Sequence, residues 1–211
     1  MTQNTNDLGT AGVGRLLLRL AVPAITAQLV NALYNIVDRM YIGHIEGVGD
    51  LALTGLGVCF PVLMFISALS YLVGMGGGSR ASVRMGEGNM EQANRILGSC
   101  TALLVVISVS VTVVFLVLRR PMLYLFGASD NTIDYAVSYI TIYLIGTIFV
   151  QISLGLNNFI TIQGFSTISM LTVILGAAVN IALDPVFIFG FGMGVKGAAL
   201  ATILSQAASA V

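Results

Sequence analysis

The chain has 211 residues, of which 57% are hydrophobic and 9% charged; nine basic side chains balance nine acidic ones, and the mean hydropathy is +0.97. A soluble domain carries roughly a quarter charged residues, so this composition excludes an ordinary water-exposed surface. The basic residues are scattered and carry no net excess, which excludes a phosphate-binding stripe and, with it, nucleic-acid binding.

Residues 1–14 are polar and lack the basic-then-apolar order and small-residue cleavage site of a removable signal peptide. They are expected to form a cytoplasmic N-terminus. Residues 15–211 then read as a transmembrane unit. A helical crossing needs roughly 20 apolar residues, and six segments meet or approach that length: 16–42, 52–78, 95–118, 135–158, 168–188 and 197–211. Charged stretches at 43–50, 80–94 and 119–134 separate the first four. The run from Tyr135 to Leu183 is uncharged but too long for one span, so it must fold back, and Gln163–Gly164–Phe165–Ser166 is the expected turn.

Water is absent from the bilayer interior and the alternation of a barrel strand is missing, so the spans are expected to be helices. The fold class is an all-α membrane protein, a six-transmembrane-helix bundle. Pro23, Pro61 and Pro185 lie within or at the ends of spans, where the missing N–H gives a packed kink or frees a carbonyl for a ligand. With the N-terminus cytoplasmic, Arg15, Arg19, Arg80, Arg84 and Arg95 fall inside and Arg119, Arg120 and Lys196 outside, a modest positive-inside bias. The sixth span opens at Gly197 and stops short of a full crossing, and a helix ending in hydrocarbon leaves carbonyls unsatisfied. A piece of a longer protein is expected, with a natural half-length transporter acting as a dimer as the alternative.

Cys59 and Cys100 both lie in apolar runs, form no CxxC pair, and read as packing residues. Ionisable groups inside a span are costly and point to function. Asp38 and Asp184 are the two candidates. Gln28, Asn31, Tyr34, Asn35 and Asp38 follow spacings of three and four, which makes a polar stripe on one face of the first span. Asn180 and Asp184 stack one turn apart in the fifth, with Gly176 and Ala177 leaving room beside them.

Odd and even spans cross in opposite directions. Asp38 and Asp184 lie about five residues before the ends of spans one and five, and Thr202 about five after the start of span six. All three therefore sit roughly 8 Å from the same membrane face. Two carboxylates, an amide oxygen and a hydroxyl at one depth offer hard ligands to sodium, or a shared proton site, at Asp38, Asn180, Asp184 and Thr202. Two close carboxylates resist double ionisation, which links their occupancy to a proton or sodium gradient. The competing reading is structural: Asp38 pairs locally with Arg39 or reaches the interface, and Asp184 caps an interfacial helix end before Pro185. Arg39 points about 100° away from Asp38 around the helix, which weakens a local pair.

At these residues the chain resembles the multidrug and toxic compound extrusion (MATE) family. The likeness rests on Pro23 with Gln28, Val37–Asp38 with Tyr41–Ile42–Gly43, Ala52 to Gly57, the Gly-rich end of span two, and Asn89 to Ala93. It is most specific in Gly176 to Pro185, where Asn180 precedes Asp184–Pro185, and in Gly192 to Thr202. Family members have twelve spans in two six-helix lobes, so the resemblance implies an N-lobe with the C-terminal lobe of the same chain missing. It implies that Asp38, Asn180, Asp184 and Thr202 match the family's cation-binding residues, and that Tyr34, Tyr139 and Asn157 match neighbouring cavity positions. Tyr139 and Asn157 have packing or helix-contact roles as equal alternatives. Arg39 stands where many members carry a small hydroxyl residue, leaving sodium versus proton open.

The function implied is secondary active export of cationic or amphipathic small molecules by sodium or proton antiport, with no catalytic residue and no cofactor beyond the coupling ion. The expected location is the plasma membrane, a bacterial inner membrane in the first instance. Met64, Met75 and Met170 are candidates for an adaptable drug surface, against ordinary packing. A lipid-linked-sugar flippase of the wider superfamily needs cationic cavity side chains, and only Arg39 lies in a span interior. An intramembrane hydrolase needs a nucleophile and base at one depth, whereas the only histidine, His44, follows span one and no Gly-x-Ser-x-Gly elbow occurs. A non-transporting structural membrane protein is the remaining rival.

Overall fold

The computed structural model describes residues 12–210, and these are helical throughout their long apolar runs. Seven α-helices follow one another: α1 Val13–Gly43, α2 Gly49–Gly86, α3 Met90–Leu125, α4 Ile133–Ile145, α5 Thr147–Ile162, α6 Ser166–Pro185 and α7 Val195–Ala210. No strand occurs among the described residues. Most of the polar N-terminus, residues 1–11, lies outside them, and α1 already begins within the expected 1–14 tail at Val13.

Helices α1, α2 and α3 and the segment Ser166–Gly190 are each long and apolar enough to cross a bilayer, and α4 with α5 makes a fifth candidate, bent by 59°. The sixth expected span corresponds to α7, whose 16 residues fall short of the roughly 20 that a straight crossing needs. Two boundaries expected from charge also move. Residues 80–86 continue α2 and 90–94 open α3, so the charged stretch between those spans is mostly helix, with only Glu87–Gly88–Asn89 turning. Charge is tolerated there because it is locally paired: Arg84 bonds Glu87 and Arg95 bonds Glu91, each at 2.7 Å, while Asn89 caps α3 by accepting from the Gln92 N–H at 3.0 Å. Likewise α3 runs on to Leu125 inside the expected 119–134 connection.

The turn at 163–166 forms where expected, with Gly164 at φ +88°, a conformation that costs other residues a Cβ clash. The expected straight span 135–158 is instead broken at Gly146. Its backbone lies against Ile203 of α7 so closely that a Cβ would overlap that side chain. Close approach there lets α7 wedge beside α4 and α5.

Buried apolar side chains mainly from α2, α4 and α7, among them Leu56, Ile66, Ile140, Leu144 and Ile203, form one continuous core that Ile42 joins from the end of α1. Helix α1 lies at the margin, packed mainly on α6, and leaves Leu17, Leu29, Leu33 and Ile36 outward. At the end of α6, Pro185 cannot donate to the Ile181 carbonyl, and the chain widens into a π-turn over Val186–Gly190 before the glycine hairpin into α7. This hairpin sets α7 antiparallel to α6, bringing Thr202 back to the depth of Asp184.

Candidate functional site

The helical spacing that aligned Asn180 with Asp184 holds: the Asn180 amide Nδ2 donates to Asp184 Oδ1 at 3.3 Å. Both side chains are completely buried, Asp38 is nearly so, and Thr202 is buried beside them. Packing of α1 against α6 brings the Asp38 and Asp184 carboxyl groups within hydrogen-bonding reach of each other. From α7, Thr202 lines the same wall as Tyr139, whose ring stacks on Tyr143 at 6.2 Å between centroids. Residues far apart in the chain thus come together: Asp38 and the Asn180–Asp184 pair meet where α1 packs on α6, which crosses in the same direction, and Thr202 of the antiparallel α7 lines the adjoining cavity with Asp38.

What the cluster lacks is donors. Asp38 Oδ1, Asn180 Oδ1 and Asp184 Oδ2 are buried without a hydrogen-bond partner among the described residues. All three are oxygens. An unpaired buried carboxylate costs several kcal/mol, and two adjacent ones cost more, while the single 3.3 Å amide bond returns only about 1.5–3 kcal/mol. Among the described residues no group of three or more His, Cys, Asp or Glu side chains that could hold a metal ion is found.

A cavity of about 510 Å³ opens beside the cluster, lined by Asn31, Tyr34, Asn35, Asp38, Tyr139 and Thr202, with Arg39, Phe60, Met64 and Tyr71 on its other walls. It adjoins a smaller chamber of about 200 Å³ that shares Asn31, Tyr34, Tyr71 and Gln206 and extends to Gln28 and Asn157. Every cavity residue expected from sequence therefore faces one chamber or the other. Asn157 also ties α5 to α6, donating to the Ser169 carbonyl at 3.3 Å and to Thr172 Oγ1 at 3.0 Å and accepting from Ser169 Oγ. Asn35 donates to the Asn31 carbonyl at 2.7 Å, one turn back along the stripe. Neither Asn180 nor Asp184 lines a chamber; Asp38 stands between them and the open space.

Sequence reasoning missed Tyr71, Tyr143, Ser153 and Gln206 as cavity residues, and missed the buried pair Ser70–Gln151 that locks α2 to α5, where Ser70 Oγ donates to Gln151 Oε1 at 2.7 Å. The signal was present: each is a polar or hydroxyl-bearing residue inside an otherwise apolar run, and in a bilayer such residues turn inward.

An apolar helical bundle that hides a carboxylate pair behind a polar-lined cavity is that of a multi-pass membrane protein. The MatE family model matches residues 23–186, and the chain belongs to that family. Among curated proteins it is similar to the multidrug export protein MepA of Staphylococcus haemolyticus, 25% identical over 93% of this chain and 43% of that protein. It is as similar to the FAD transporter of Shewanella oneidensis, 25% identical over 96% of this chain and 45% of that one. The chain therefore spans less than half the length of the curated relatives it matches. Solved structures agree in fold: a MATE protein in its bent conformation superposes with a TM-score of 0.89 at 29% identity, covering 99% of this chain and 46% of that one. A MOP superfamily transporter from Pyrococcus furiosus, described as having a binding pocket of reversed polarity, gives 0.90 at 28% identity, covering 100% and 46%.

Proposed function

We propose that this chain supplies the cation-coupling lobe of a secondary active exporter, in which a sodium ion or proton held between Asp38 and Asp184 drives the release of cationic or amphipathic small molecules from the adjoining cavity. The observation that carries this reading is the trio of buried, donorless oxygens on Asp38, Asn180 and Asp184. Such a site has a lower free energy when loaded, so an imposed cation gradient changes its occupancy and, through α1 and α6, the packing of the cavity wall. Thr202 and Tyr139 supply hydroxyls at the edge of the same site, and Asp38 is the group shared by the ion and the cavity. Export by the MepA relatives supports the cargo class; their length supports a second lobe in the working protein, against which this one rocks. A cytoplasmic N-terminus in a plasma membrane is supported by the modest excess of basic residues in the loops that this orientation puts inside.

Equilibrium cation binding to the purified protein, expressed from its full native gene, tests the site. Sodium binding or proton uptake should saturate in the parent and be lost in Asp38→Asn and Asp184→Asn, both near-isosteric. Retention of parent-like binding by both variants would remove the coupling role from this pair.

A further inference from the structure

Asp38 and Arg39 are the two charged residues on the wall of the larger chamber, and they face different partners. Asp38 turns into the buried cluster, whereas the Arg39 side chain is exposed to the cavity, with its guanidinium carbon 5.9 Å from the centre of the Phe60 ring. Among the described residues Arg39 makes no salt bridge and no side-chain hydrogen bond; its guanidinium lies over the Phe60 ring, and its charge acts on Asp38 through space. A guanidinium laid over an aromatic shelf keeps its five N–H donors in a fixed plane, a fork that matches a carboxylate or phosphate. The chamber around it is walled by Met64, Tyr71 and Tyr143, surfaces that take up a flat ring.

We propose that Arg39 is a specificity-determining residue for zwitterionic aromatic cargo, holding the anionic group of the cargo while Asp38 answers its cationic end. The inference rests on the export reading above and narrows its substrate class. It reconciles antiport with a cavity arginine: the cationic end of the cargo competes with the coupling ion for Asp38, and the anionic end competes with nothing. A purely cationic cargo, by contrast, meets the repulsion of Arg39. The opposed charges sit on successive residues of one helix, about 100° apart around its axis, so a single small molecule reaches both.

The test uses a matched dye pair, a rhodamine with a free carboxylate and its methyl ester, zwitterion and monocation on the same ring system. Binding to the purified protein from the full native gene is read by fluorescence anisotropy, and export is read in proteoliposomes. The parent should bind the acid more tightly than the ester. Arg39→Gln should weaken the acid about tenfold or more, as expected for a lost charge-assisted hydrogen bond, and leave the ester unchanged or tighter. Arg39→Lys should keep part of the preference. Equal binding of both dyes by the parent, or an equal effect of Arg39→Gln on both, overturns the assignment. Phe60→Leu gives a second reading of the same site, since removal of the shelf should weaken the acid alone. If the acid preference and its loss are seen in binding but no gradient drives either dye, the export reading fails while the role of Arg39 stands.

Discussion

The bond between Ser70 and Gln151 should be the strongest single tie between α2 and α5, and it can be weighed. Both side chains are fully buried; Ser70 Oγ donates to Gln151 Oε1 at 2.7 Å, and Gln151 Nε2 donates to the Ile66 carbonyl at 3.3 Å. Ser70 keeps a second contact, to the Ile66 carbonyl at 3.2 Å, whatever stands at 151. An interhelical hydrogen bond in a membrane is worth about 0.6 kcal/mol on average and up to about 1.7, but an acceptor left buried and unpaired costs about 1–3 kcal/mol. Ser70→Ala leaves Gln151 Oε1 in that state and should cost about 1–2 kcal/mol. Gln151→Met, which keeps the length of the side chain, should cost a similar amount. The double variant should cost no more than the worse single one, because the orphaned oxygen is gone, giving a coupling of about 1 kcal/mol. Reversible unfolding in mixed detergent micelles, with all four proteins compared, measures it. Additivity within about 0.3–0.5 kcal/mol would show that the two side chains do not act as a pair.

Gly146→Ala should lower the unfolding free energy by about 1–3 kcal/mol, the usual cost of overpacking, because its Cβ meets the Ile203 side chain. Adding Ile203→Ala should cost less than the sum of the two changes predicts. Gly197→Ala places a Cβ 2.7 Å from the Phe187 carbonyl carbon and 2.8 Å from its oxygen, backbone that cannot step aside, so folded yield by size-exclusion chromatography should fall. Gly57→Ala, where a Cβ meets nothing within 4 Å, should leave yield unchanged. Asn157→Leu should both lower stability and weaken dye binding, since it cuts three α5–α6 hydrogen bonds and alters a wall of the smaller chamber.

Much of the architecture was legible because a bilayer makes simple demands: length, apolarity, and charge only where water or a partner is near. The turn at Gly164 and the shared depth of Asp38, Asp184 and Thr202 follow from counting residues along antiparallel helices. The break at Gly146 was not legible, since one glycine in an apolar run reads as ordinary span; its cause is Ile203, 57 positions away. Helices that outrun the membrane were hidden for a related reason. The charges at 80–94 were read as the connection between two spans, but paired at intervals of three and four they do not end a helix. Depth also could not reveal that Asp38 alone of the carboxylate pair reaches the cavity, which depends on how α1 is rotated against α6.

Gradient-driven dye export bears most directly on the carboxylate pair. Proteoliposomes holding the full native gene product are loaded with dye, and an inward sodium or proton gradient is imposed on the parent, Asp38→Asn and Asp184→Asn. The parent should release dye in response to one of the two gradients, and each variant to neither, although dye binding persists at least in Asp184→Asn, whose carboxylate does not line the cavity. Gradient-driven release by both variants at the parent rate would contradict a coupling ion held between Asp38 and Asp184.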